Sequence, residues 1–174
     1  MDKLLTVVIP SYNVEKFLNQ TLDSFVCDEA VMKKFEVIVV DDGSKDNTAK
    51  IGKEYADKYP DTFRVISKEN GGHGSTINCG IRNAVGKYFK VVDGDDWVNT
   101  ADFVKLVEDL EKTESEYVFT NYYEYYDDVN RQKAVDFPQF KDGTEYDFAD
   151  VANKVYIPMH CLLYTSPSPR DRTR

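Results

Sequence analysis

Cysteine is scarce: Cys27, Cys79 and Cys161 make an odd set without metal or redox spacing. That argues against a disulfide framework or a thiolate metal site and points to a reduced, cytoplasmic setting, with each thiol a buried or incidental side chain. Positive charge is also in deficit. The 31 acidic residues outnumber 22 basic ones, giving a formal net charge of −9, so the basic footprint of a nucleic-acid-binding surface is missing. A nucleotide ligand remains open, because a metal ion can meet its phosphates. No apolar run approaches the ~20 residues of a membrane span. The N-terminal run at residues 4–9 is too short for a signal peptide and has no cleavage site. A G-x-x-x-x-G-K-[ST] phosphate loop is absent because no Lys follows Gly74, and the dinucleotide fingerprint fails because Ile77 stands where its third Gly belongs. No internal repeat is found.

What the chain does have is a core. Its 174 residues are 41% hydrophobic and 13% aromatic, enough for one domain. It is organised around Phe89-Lys90-Val91-Val92-Asp93-Gly94-Asp95-Asp96-Trp97, an apolar run that ends in three carboxylates around one glycine. The run reads as a buried strand with its carboxyl end in solvent. If the chain stays extended, Asp93 and Asp95 point the same way and converge on one point. Gly94 between them lets a ligand or metal approach the backbone, and a hard divalent cation takes such carboxylates together with substrate phosphates. The competing reading is an acidic turn capping the next helix. A calcium loop fails, since Val98 stands where its Gly is needed.

Three more strands precede this one. Residues 4–9 form a continuous apolar run that stops at Pro10-Ser11-Tyr12-Asn13, and residues 35–40 form a second that stops at Asp41-Asp42-Gly43-Ser44. A short third, residues 63–66, leads to Asn70-Gly71-Gly72-His73-Gly74-Ser75. Helices fall between them: one carrying Phe17, Leu18, Leu22 and Phe25, one capped within Asp46-Asn47-Thr48 with Ile51, Tyr55 and Tyr59 inward, and one over 75–84 stopped by Gly86. Alternating strands and helices define a doubly wound α/β sheet, where ligands bind outside the carboxyl ends of the strands. Three of those ends here are polar or acidic. Beyond Trp97 come an amphipathic helix with Phe103, Leu106, Val107 and Leu110, a strand at 117–120, an edge strand or hairpin within 121–141, and a short helix within 148–155.

Four ordered motifs, Val7-Val8-Ile9-Pro10-Ser11-Tyr12-Asn13, Val39-Val40-Asp41-Asp42-Gly43-Ser44-Lys45-Asp46-Asn47-Thr48, Asn70-Gly71-Gly72 and Asp93-Gly94-Asp95-Asp96, resemble family-two glycosyltransferases of the GT-A fold. The match covers about residues 4–100. The resemblance implies a Rossmann-like, mostly parallel sheet flanked by helices, with an incomplete C-terminal part. It implies transfer of a sugar, with inversion, from a nucleotide diphosphate donor such as a UDP-sugar to a saccharide or lipid-linked acceptor in cell-surface polysaccharide synthesis. Mg²⁺ or Mn²⁺ would assist. Pro10 and Tyr12 would border the base, with Tyr12 stacking on it. Asp42, or alternatively Asp41, would accept from the base imide, while the other caps a turn with Gly43 and Ser44. Asn70 and Gly71 would face the donor. Asp93 would reach ribose or metal, Asp95 would ligate the metal, and Asp96 would position the donor sugar or cap the next helix. His73 is a surface-turn residue or a phosphate or sugar contact, and Trp97 a packing residue or a sugar-stacking one. The family's A-R-N-x-G helix start is replaced by Thr76-Ile77-Asn78-Cys79-Gly80, so Ile77 stands where the resemblance implies a cationic contact to base or phosphate, and Arg82, one turn later, is either an ordinary exposed helical residue or its substitute.

The expected organisation is a domain at 1–160, with a nucleotide-sugar-binding half at about 1–100 and the start of an acceptor half at 101–160. Composition shifts to Ser, Pro and Arg after Cys161, and Cys161 to Asp171 resembles the translation of a sequencing adapter. Residues 161–174 are accordingly expected to be a non-native tail, leaving the general base beyond residue 160 and this chain without turnover. Two other functions are weighed. A nucleotidyltransferase would open with a basic, Gly-rich signature that Pro10-Ser11-Tyr12-Asn13 does not offer, and a non-catalytic nucleotide-sugar-binding fragment would need only the first half. The chain itself is expected in the cytoplasm or peripheral to the inner face of the membrane.

Overall fold

Two mostly apolar runs, broken by Thr6 in one and Glu36 in the other, become the centre of the sheet. In the computed structural model, which describes residues 3–126, 131–151 and 162–165, β1 (Leu5–Ser11) and β2 (Phe35–Asp41) are buried at every position. β3 (Phe63–Ser67) joins β2 and β4 (Tyr88–Val91) joins β1, all in parallel. Burial on both faces explains why β1 and β2 are mostly apolar without alternation.

The two faces are covered by different helices. Leu5, Val7, Ile9, Val37 and Val39 look toward α1 (Leu18–Asp23), α3 (Thr48–Lys58) and α5 (Thr100–Leu110). Phe103 sits edge-on to both Phe25 and Phe35, each ring centroid 5.0 Å away. Val8, Ile38, Val40, Phe89 and Val91 look the other way, onto Ile77 and Ile81 of α4 (His73–Asn83). That is the period-two division of a doubly wound sheet.

Side-chain oxygens start three of the helices among the described residues. The Asp46 carboxylate accepts the Thr48 N–H at 2.9 Å to start α3. α2 (Glu29–Met32) has no sequence period to announce it and is held by Asp28, which accepts from Ala30 N–H at 2.8 Å. α4 starts at His73, two residues before the expected Ser75, because Gly72 at φ +82° turns the chain into it. Gly86 does not cap that helix. Its N–H donates to Thr6 Oγ1 at 2.9 Å, and a Cβ there would lie 2.5 Å from the Leu5 carbonyl carbon and Thr6 nitrogen. Only glycine lets the chain pass so close to β1.

β5 (Tyr117–Phe119) occupies the far edge of the sheet. β6 (Tyr122–Tyr126) and β7 (Arg131–Val135) pair with each other as a separate antiparallel hairpin, one of the two arrangements expected for that stretch. α6 (Phe148–Val151) is the expected short helix, with residues 152–155 outside the described part. β8 (Leu162–Thr165) runs antiparallel between β4 and β5, giving the order β3-β2-β1-β4-β8-β5. It lies within the stretch set apart by composition, and the rest of 161–174 is outside the described residues. No helix among the described residues is long and apolar enough to cross a membrane.

Candidate nucleotide-sugar site

The strand order places the ends of β2, β1 and β4 side by side, so the polar segments that follow them meet at one edge. Ser11 is in register with Asp41, and Asp42 N–H continues the ladder to Ser11 O at 2.9 Å. Beyond that point the two loops are cross-linked. Asn13, at φ +56°, accepts from Lys45 N–H at 2.8 Å through its side-chain oxygen and donates its own backbone N–H to Ser44 Oγ at 3.0 Å. Glu15 accepts from Asn47, and Val14 N–H donates to Thr48 Oγ1 at 2.9 Å. Pro10 is buried in β1, whereas Tyr12 just beyond the strand is 48% exposed, an open ring at the rim.

The adjacent aspartates divide their work. Asp41 accepts from Ser44 N–H at 3.0 Å, the turn-capping role expected for one of the pair. Asp42 is only 2% exposed. Its carboxylate accepts from the Lys68 ammonium, from Gly71 N–H at 3.0 Å and from Gly72 N–H at 2.7 Å. Burial works against its ionisation, but these donors outweigh it and hold the carboxyl below the usual range. Asn70 and Gly71 are exposed on the loop so anchored.

The acidic segment differs from its sequence expectation. Extended geometry would put Asp93 and Asp95 on one face, but the chain leaves β4 at Val91 and turns at Gly94. Asp96 N–H donates to Asp93 O at 3.0 Å, closing a four-residue turn. Gly94 packs against the end of β1, where a Cβ would lie 3.1 Å from Pro10 O and Ser11 Oγ, and its carbonyl accepts Thr21 Oγ1 at 3.0 Å. The turn therefore presents Asp95 and Asp96 to solvent, with Asp93 half-buried. Asp96 does not cap α5; Asn99 does, accepting from Asp102 N–H at 3.1 Å. Trp97, read as a packing or a sugar-stacking residue, is 43% exposed and packs edge-on against the Tyr125 ring at 5.4 Å.

His73 and Lys68 complete the edge. His73 Nε2 lies 2.8 Å from Asp93 Oδ1, joining the glycine-rich loop to the acidic turn. Lys68 escaped the sequence reading because a lone Lys after a short strand carries no motif. Its signal lies in register: Asp41 pairs with Ser67, so Lys68 falls beside Asp42 once β2 and β3 are neighbours. Ile77, at the position of the family's arginine, packs into the apolar cluster under α4. Cys27 and Cys79 are free, half-buried thiols, and Cys161 lies outside the described residues.

A metal is a question of donor chemistry here. Among the described residues no cluster of three or more His, Cys, Asp or Glu side chains is arranged to hold an ion. Mg²⁺ and Mn²⁺ do not require one, since one or two carboxylates plus substrate phosphates suffice. Asp95 and the half-buried Asp93 offer hard oxygen donors of that kind.

A doubly wound sheet with acidic and glycine-rich turns at its carboxyl edge is the α/β architecture of GT-A glycosyltransferases. The model of the family described as Glycosyl transferase family 2 matches residues 6–167, and the chain belongs to that family. One relative is EpsJ of Bacillus subtilis (strain 168), named an uncharacterized glycosyltransferase, 37% identical over 123 residues that cover 71% of this chain and 35% of EpsJ. Another is the minor teichoic acid biosynthesis protein GgaB of the same organism, 33% identical over 111 residues, 64% of this chain and 12% of GgaB. Among solved structures, S. aureus TarS 1-349 in complex with UDP-GlcNAc is similar with TM-score 0.58 and 29% identity over 66% of this chain and 33% of that one. The mannosyltransferase PcManGT from Pyrobaculum calidifontis, in complex with GDP-Man and Mn²⁺, has TM-score 0.57 and 25% identity over 68% of this chain and 34% of that one. The chain thus spans about a third or less of the length of these relatives.

Proposed function

We propose that the carboxyl edge of the sheet binds a nucleoside-diphosphate sugar, a UDP-sugar in the first instance, for transfer to an acceptor hydroxyl with inversion. The observation that carries this reading is the meeting of exposed Tyr12, the anchored loop at 70–75 and the Asp93–Asp96 turn at one edge. In this reading Tyr12 stacks on the base beside Pro10. The base imide uses the acceptor capacity left on Asp42, since a carboxylate offers about four lone-pair positions and three donors already point at it. Asn70 and Gly71 face the diphosphate, and Asp96 the donor sugar.

Asp95, with Asp93, would hold Mg²⁺ or Mn²⁺, whose charge offsets what develops on a departing diphosphate. The Asp93–Asp96 hydrogen bond shapes the backbone that carries these carboxylates, and the β1 end braces that turn through Gly94. Residues 1–100 form the donor half, and 101–160 begin the acceptor half. The names of TarS and PcManGT complexes support a nucleotide-sugar ligand, and the name of GgaB, a teichoic acid biosynthesis protein, fits a place in polysaccharide biosynthesis. Calorimetric titration of UDP and GDP in the presence of Mn²⁺ and of chelator tests the reading. Saturable UDP binding that needs the metal is expected; equal affinity with chelator removes the metal from the account, and no binding of either nucleotide removes the donor site.

A further inference from the structure

We infer that Lys68 is a positioning residue for donor binding, the cation around which the diphosphate-facing loop is folded; this rests on the donor-site reading above. An ammonium has three protons. Those of Lys68 have three acceptors: the Asp42 carboxylate, Glu69 O and, at 2.9 Å, Ser75 Oγ. Asp42 carries the constraint onward by accepting Gly71 and Gly72 N–H groups. Ser75 closes the circle, its Oγ donating to Gly72 O at 2.8 Å.

The loop is wrapped tightly on this ammonium. A Cβ on Gly71 would lie 3.1 Å from Lys68 Nζ and 2.7 Å from Ser75 Oγ. Lys68 is only 25% exposed and Asp42 2%, so the pair is poorly screened by solvent and neither charge is well placed without the other. The consequence for binding is preorganisation: a glycine-rich loop that would otherwise lose backbone freedom on meeting a diphosphate is already ordered.

The test uses the 174-residue chain with Lys68→Met, Lys68→Arg and Ser75→Ala, reading amide hydrogen exchange at Gly71 and Gly72 together with UDP and UMP affinity in Mn²⁺. Lys68→Met is expected to speed exchange at both glycines and to weaken UDP about tenfold, the size of one lost charge-assisted contact, with a smaller effect on UMP. Lys68→Arg should recover part of the loss, and Ser75→Ala should shift both readouts in the same direction by less. Should Lys68→Met fail to fold, Ser75→Ala carries the test. Unchanged exchange, faster exchange with unchanged UDP affinity, or equal losses for UDP and UMP would each overturn the inference. If the unaltered chain binds no nucleotide, the donor reading falls and the inference with it, and the exchange data alone then report whether Lys68 orders the loop.

Discussion

His73 Nε2 and Asp93 Oδ1 stand 2.8 Å apart, tying the glycine-rich loop to the acidic turn across the carboxyl edge of the sheet. Both side chains are about half exposed, so water competes for the contact. Its weight lies in geometry rather than stability. His73→Ala should therefore cost less than about 1 kcal/mol, as exposed pairs do. Chemical denaturation reads this directly, and a loss of several times that size would mean the contact is part of the core scaffold.

Glycines that look alike in the sequence should respond differently. At Gly86 an added methyl meets β1 backbone at 2.5 Å, and backbone cannot step aside. Gly86→Ala should cost about 1–3 kcal/mol or more. At Gly74, in the first turn of α4, an added methyl meets nothing within 4 Å. Gly74→Ala should be neutral or stabilising by up to about 1 kcal/mol, through the entropy of the unfolded chain. Melting temperatures of the two variants make the comparison.

Acid should weaken the fold through two loop aspartates. Burial opposes ionisation of Asp42 and Asp46, yet hydrogen bonds from Lys68, Gly71 and Gly72 to the first, and from Thr48 and Glu15 to the second, depress both carboxyls in the folded chain. A depressed folded value means the stabilisation is present above the unfolded value of about 3.9 and is lost as pH falls through the folded one. Stability measured below about pH 4 should thus fall less steeply in Asp42→Asn and Asp46→Asn than in the unaltered chain. Parallel acid limbs in all three would contradict the assignment.

The proposed roles of Asp95 at the metal and Asp96 at the donor sugar imply an ordering. Asp95→Asn keeps the size and removes the charge a hard cation needs, so metal-dependent UDP affinity should drop about tenfold or more. Asp96→Asn should do less. The reverse ordering in calorimetry would move the metal ligand by one residue.

How much of this was legible depends on the range of the interaction involved. β1 and β2 could be read from sequence because a buried parallel strand is a continuous apolar run bounded by turn residues, as at Pro10 and at Asp41-Asp42-Gly43. The gathering of polar ends at one edge followed from the strand–helix alternation. The Asp42–Lys68 pair could not be read, since it depends on β2 lying beside β3, and neither could the His73–Asp93 contact between two loops. Side-chain alternation misled at Asp93 and Asp95 because it holds only while the chain stays extended, and Gly94 ends that. Gly86 was misread for a related reason: a glycine after a helix suggests a cap, while its actual neighbour is a strand 80 residues away in sequence.

The most direct measurement is a crystal of the chain grown with UDP and Mn²⁺, with the manganese located by its anomalous scattering. The account predicts the ion within about 2.0–2.3 Å of a carboxylate oxygen of Asp95 or Asp93, with the diphosphate on its other side and the uracil against Tyr12. Manganese elsewhere, or nucleotide bound away from the ends of β1, β2 and β4, would contradict it.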